Sequence, residues 1–167
     1  IEVKSARIKQ SGINDLFDTE ASVAQLRRLS NFGVQAYSTL SDALSGDYPH
    51  WKPDGLPVYL MVVTLEDWHT VGIQVQREVV EPIRERLSEK GLSPRLPDDF
   101  PFIYASSADL GAMLHVANKV SLETVLNKKT SGEFMQWQLG VFLQTAFQDE
   151  IQGYRPSAFD PAWNEIV

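Results

Sequence analysis

A carboxylate and an ammonium two residues apart stand in the opening stretch Ile1-Glu2-Val3-Lys4. In a β-strand alternate side chains share a face, so Glu2 and Lys4 project together while Ile1 and Val3 face the other way. A rigid pair of this kind suits metal-assisted hydrolysis of a phosphodiester. The carboxylate offers an oxygen ligand to Mg²⁺, and the lysine can orient or activate the attacking water or offset charge developing on the phosphate. The same tripeptide also suits an unreactive role, a solvated charge pair on an exposed strand. Lys4, Arg7 and Lys9 outnumber Glu2 there and give the chain its one local basic bias.

A second group, Glu66, Asp67 and His69, follows the apolar run at residues 58–63. Ligands of open α/β sheets gather past the carboxyl ends of strands, and two acids with an imidazole could hold a metal. Asp67 more simply caps the helix that follows. His50 and His115 stand alone. The chain has no cysteine, which removes disulfides, thiolate metal sites and a cysteine nucleophile. It has neither a phosphate-cradling glycine loop nor a G-x-S-x-G elbow.

The elements that must position these residues alternate between strand and helix. Ile1 to about Ile8 reads as a strand, broken by Gln10-Ser11-Gly12. Asp18 or Thr19 can cap a long helix in which Val23, Leu26, Val34, Tyr37, Leu40 and Leu44 recur at three- and four-residue steps, with Gly46 at its end. Residues 58–63 are apolar on both faces, as in a central strand covered on either side. A helix carrying Val79, Ile83 and Leu87 follows and stops at Gly91, with Pro82 expected to kink it or mark its start. Residues 93–101 read as a Pro-rich link and residues 102–105 as a short strand. Ser106 caps the next helix, with Asp109 three residues on, and two further helices are expected at residues 121–127 and 132–147. The mixed charges from Arg77 to Lys90 suit a solvated helix face with cancelling signs.

The stretch Ile1-Glu2-Val3-Lys4-Ser5-Ala6-Arg7 resembles the second half of the PD-(D/E)XK nuclease motif, the hydrophobic-Glu-x-Lys strand of the restriction-endonuclease-like fold. That family follows the strand with a helix and another core strand, which residues 19–44 and 57–63 supply here. The resemblance implies Glu2 as a metal ligand, Mg²⁺ as the cofactor, Lys4 as the catalytic lysine and DNA as the substrate. Some members add a glutamine from the following helix; Gln25 is the matching position here, and it equally suits an ordinary place on the helix surface. The family's other acid, an aspartate on the preceding strand, is expected before Ile1.

The expected fold is therefore α/β: a mixed, largely parallel sheet flanked by helices, with a helical C-terminal portion, forming a truncated restriction-endonuclease-like core. Residues 1–150 are expected as one domain, with 151–167 as a tail packed on it. Among 167 residues, 43% are hydrophobic and 22% charged, ordinary values for a globular chain. No segment approaches the roughly 20 apolar residues that span a bilayer, so no membrane partner and a cytoplasmic address are expected. A formal net charge of −7 opposes broad, non-specific attraction to nucleic acid and leaves room only for a small basic site. The alternative reading is a non-catalytic protein-interaction module that retains the fold and binds a protein partner or a second copy of the chain. Phe134, Met135, Trp137, Phe142 and Phe147 could serve that contact or pack in the core.

Overall fold

Leu60–Thr64 is buried along its whole length, the environment of a strand with helices on both sides. In the computed structural model, which describes residues 2–4, 19–51, 55–64 and 73–155, it is the central strand, β2, of a three-stranded parallel sheet. The flanking strands are β1 (Glu2–Lys4) and β3 (Phe102–Ser106). Glu2 pairs with Val62 and Lys4 with Thr64; across the other edge Val62 pairs with Tyr104 and Thr64 with Ser106. Every pairing among the described residues is parallel. The continuation of the first strand towards Ile8 lies outside the described residues.

Parallel neighbours need long crossovers. The helix α1 (Thr19–Leu44) joins β1 to β2, and α2 (Ile73–Glu89) with the single turn α3 (Leu96–Asp99) joins β2 to β3. These crossovers cover one face of the sheet, where Leu29, Tyr37, Val62, Ile83 and Leu87 form a buried core. The helices α1 and α2 approach so closely at Gly33 that a Cβ there would collide with Cδ1 of Ile83. Pro82 lies within α2, and Gly91 beyond its end takes φ +73°, a left-handed turn that glycine enters without strain. The expected Pro-rich link contains α3, whose Pro97 sits in its first turn, where a missing N–H costs little. The Tyr37 hydroxyl donates to the Phe100 carbonyl at 2.8 Å and ties that link to α1.

The opposite face is closed by α4 (Ser107–Val120), α5 (Leu122–Lys129) and α6 (Leu139–Ala146). Met61, Val63, Ile103 and Ala105 pack there against Met113, Val116, Phe142 and Leu143. The capping box at the start of α4 is formed in full: the Ser106 hydroxyl accepts from the Asp109 N–H at 3.1 Å, and the Asp109 carboxylate accepts from the Ser106 N–H at 3.2 Å.

The single helix expected over residues 132–147 is instead a 3₁₀ turn at Gly132–Gln136 followed by α6. The ammonium of Lys129 donates to the carbonyls of Phe134 and Met135 at 2.9 and 3.0 Å. The Phe134 carbonyl also accepts the Trp137 N–H at 3.1 Å, so the lysine and the 3₁₀ bond share it at the end of the turn. In the segment expected as a packed tail, Tyr154 packs on the same core and its hydroxyl donates to the Ala108 carbonyl at 3.3 Å. Residues 156–167 lie outside the described residues. Among the described residues no helix is long and apolar enough to cross a membrane.

Candidate functional site

Parallel register converts sequence spacing into rows across the sheet. Position 2 shares its row with Val62 and Tyr104, and position 4 shares its row with Thr64 and Ser106. Val62 and Tyr104 belong to the face that α1 and α2 cover. Ser106 is the last residue of its strand, and Lys4 and Thr64 are the last described residues of theirs, towards the carboxyl ends at which open α/β folds gather ligands. The described side chains of these rows turn polar towards those ends. The hydroxyls of Thr64 and Tyr104 stand 3.0 Å apart, and Thr64 is only 1% exposed.

Of the residues nominated from sequence, Glu2 and Lys4 thus take alternate positions on one strand, either side of the Val3 row. Gln25 falls on α1, one turn before the buried Leu29. Glu66, Asp67 and His69 lie outside the described residues. His50 lines an apolar cavity of about 530 Å³ at the other end of β2, with Leu40, Tyr48, Trp51 and Tyr59. His115 packs its ring 5.5 Å from that of Tyr154. The aromatic stretch after residue 133 is mainly core: Phe142 and Phe147 are buried, and the Phe134 and Phe142 rings meet edge-on at 5.3 Å.

Oxygen ligands are what Mg²⁺ prefers. Among the described side chains of these rows the oxygens are the hydroxyls of Thr64, Tyr104 and Ser106, and Glu2 is the one carboxylic residue by position. Among the described residues no group of three or more His, Cys, Asp and Glu comes together to hold a metal.

Beside Tyr104, on the same face, a cavity of about 400 Å³ opens between α2, the residues around α3 and the Gly132–Gln136 turn. The guanidinium of Arg84 holds the Asp98 carboxylate through two contacts of 2.7 and 2.6 Å and donates to the Pro94 carbonyl at 3.0 Å. Those hydrogen bonds keep the Asp98 carboxyl below the usual carboxylate range and raise Arg84 further. Burial pushes the Tyr37 hydroxyl well above its ordinary value. With its charge matched by Asp98, Arg84 is not a ready anion site.

Sequence reasoning missed Tyr104, the Arg84–Asp98 fork and Lys129. Tyr104 and Ser106 had a visible signal, since they put polar groups on alternate positions of an otherwise apolar strand. Lys129 follows Val125 and Leu126 by four and three residues, which places a charge on the buried side of α5. The Arg84–Asp98 pair spans fourteen residues and a turn, and no local pattern announces it. Searched against known protein families, curated proteins and solved structures, the chain finds no match.

Proposed function

We propose that this chain belongs to a metal-dependent nuclease that hydrolyses DNA phosphodiester bonds with Mg²⁺, and that its sheet is part of a restriction-endonuclease-like core. The observation that carries this reading is the parallel pairing of β1 with β2 through the α1 crossover. It gives Glu2 and Lys4 alternate positions on a strand paired with β2, Lys4 level with Thr64 and Glu2 level with Val62 and, two strands away, Tyr104. In this reading Glu2 holds the metal, Lys4 orients the attacking water or offsets phosphate charge, and Gln25 stands near the substrate on α1. Bound Mg²⁺ would supply Lewis-acid stabilisation of the phosphate charge. The net charge of −7 leaves attraction for DNA to the locally basic opening stretch of the sequence, Lys4, Arg7 and Lys9.

Plasmid nicking, with Mg²⁺ or Mn²⁺ and with EDTA, tests the reading on this chain and on the full product of its gene. Glu2→Ala and Lys4→Ala are each expected to lower metal-dependent turnover on the order of 10²-fold or more while the protein stays folded. Nicking that survives both substitutions would overturn the assignment. A second reading, a non-catalytic module for a protein partner, is favoured by the exposed Tyr48 and Trp51 that line the 530 Å³ cavity. Metal-dependent nicking absent from every form of the protein would favour it.

A further inference from the structure

We propose that the 400 Å³ cavity beside Tyr104 is a subsite for an unstacked nucleobase of the bound strand. The inference rests on the nuclease reading for the strand that brings the base there.

Position and shape come first. Tyr104 and position 2 share one register row and are separated by two strand spacings, roughly 10 Å. Val62 between them is buried under α1 and α2, so a base entering the cavity comes from its open side and not across the face of β2. The volume lies at the small end of the range for ligand pockets, roughly 300–1,000 Å³. The half-buried rings of Phe102 and Tyr104 line it together with Met135, which is 41% exposed. Flat aromatic and thioether surfaces of this kind suit a planar heterocycle, because every base has a π-face to stack.

Charge decides which part of a nucleotide enters. Arg84 is engaged by Asp98 and the Pro94 carbonyl, while Glu81 adds a further carboxylate to the lining. The cavity thus carries more negative than positive charge, repels a phosphate and tolerates a neutral base with exocyclic amino groups. One exposed group can read the edge of that base. Gln136 is exposed on the 3₁₀ turn at the rim, and its amide offers both a donor and an acceptor, the pair that suits adenine. Lys129 holds the turn that carries Met135 and Gln136 by its bonds to the Phe134 and Met135 carbonyls.

The test is equilibrium binding of short fluorescent single-stranded oligonucleotides in EDTA, read by anisotropy, with an abasic site moved one position at a time. Wild type, Gln136→Ala, Met135→Ala and Lys4→Ala are compared as full chains. One abasic position is expected to weaken wild-type binding on the order of tenfold, and adenine there should bind best. Gln136→Ala and Met135→Ala should weaken binding of the intact oligonucleotide several-fold, yet leave binding of that abasic oligonucleotide unchanged. A flat abasic scan, equal losses on intact and abasic strands, or no oligonucleotide binding would each overturn the subsite. Nicking abolished by Lys4→Ala alongside a flat scan would sink the subsite and leave the nuclease reading standing. Base-dependent binding without any metal-dependent nicking would do the reverse.

Discussion

The same three strands present two unlike faces. Towards α4, α5 and α6 they offer Met61, Val63, Ile103 and Ala105, met by a buried apolar layer in which Phe142 contacts both Phe134 and Phe147 edge-on. Towards α1 and α2 they offer Leu60 and Val62, then the Thr64 and Tyr104 hydroxyls, with a cavity and a forked ion pair close by. Strand alternation separates these demands residue by residue. One face is filled to close packing and supplies stability. The other gives up some packing to keep hydroxyls and space at the carboxyl edge of the sheet, and the candidate chemistry lies there.

The largest expected effect strikes the closed face. Phe142 is 0% exposed and sits between two other rings, so Phe142→Ala removes a large apolar volume that its neighbours cannot refill. A loss of about 3–5 kcal/mol in stability is expected. Urea denaturation followed by circular dichroism measures it. A loss below about 1 kcal/mol would mean that this layer is loosely packed and that the contrast between the faces is false.

Much of this division was legible in the sequence, unevenly. Residues 58–63 announced a doubly covered strand because they are apolar at both parities, and the Ser106–Asp109 spacing announced a cap because its two hydrogen bonds are local. The bounds of α1 followed from capping and periodicity. The break between residues 136 and 139 did not, because no proline marks it and its turn is held by contacts from the preceding helix. Glu2 and Lys4 were legible as residues of one strand face, while the rows they share with Thr64 and Tyr104 required the pairing of strands far apart in sequence. The cavity was illegible for the same reason, since its walls come from α1, α2, β3 and the 3₁₀ turn.

A smaller effect concerns the one ammonium enclosed on the closed face. Lys129 is 2% exposed, and burial brings its pKa down from 10.5 to about 8, while its two carbonyl acceptors favour the charged form and oppose that fall. Below about pH 8 both folded and unfolded chains carry the proton. Between about 8 and 10.5 the unfolded chain binds more protons than the folded one, so stability rises with pH across this window. Relative to Lys129→Met, which does not titrate there, the wild type should gain up to about 3 kcal/mol by pH 10.5. Paired denaturation curves at several pH values give the difference. A flat difference would show that the carbonyls fully compensate burial, and an opposite slope would show that they outweigh it.

The smallest effect is expected on the open face, from Tyr104→Phe. The substitution removes one oxygen and keeps the ring. The hydroxyl lies 3.0 Å from that of Thr64, so one buried polar contact is lost, but Thr64 is not left without a partner. A net hydrogen bond contributes about 0.5–1.5 kcal/mol, and the expected loss of stability is about 1 kcal/mol. Base-dependent oligonucleotide binding should survive, because stacking uses the ring face that phenylalanine retains, whereas Tyr104→Ala should lose it. The pair of variants separates the two uses of one side chain: its oxygen belongs to the polar row at the strand ends, its ring to the cavity wall. If Tyr104→Phe instead cost 3 kcal/mol or more, well above the roughly 1 kcal/mol typical of one hydrogen bond, the hydroxyl would be holding a wider network. The open face would then be as tightly specified as the closed one, and the polar row would be explained by folding alone.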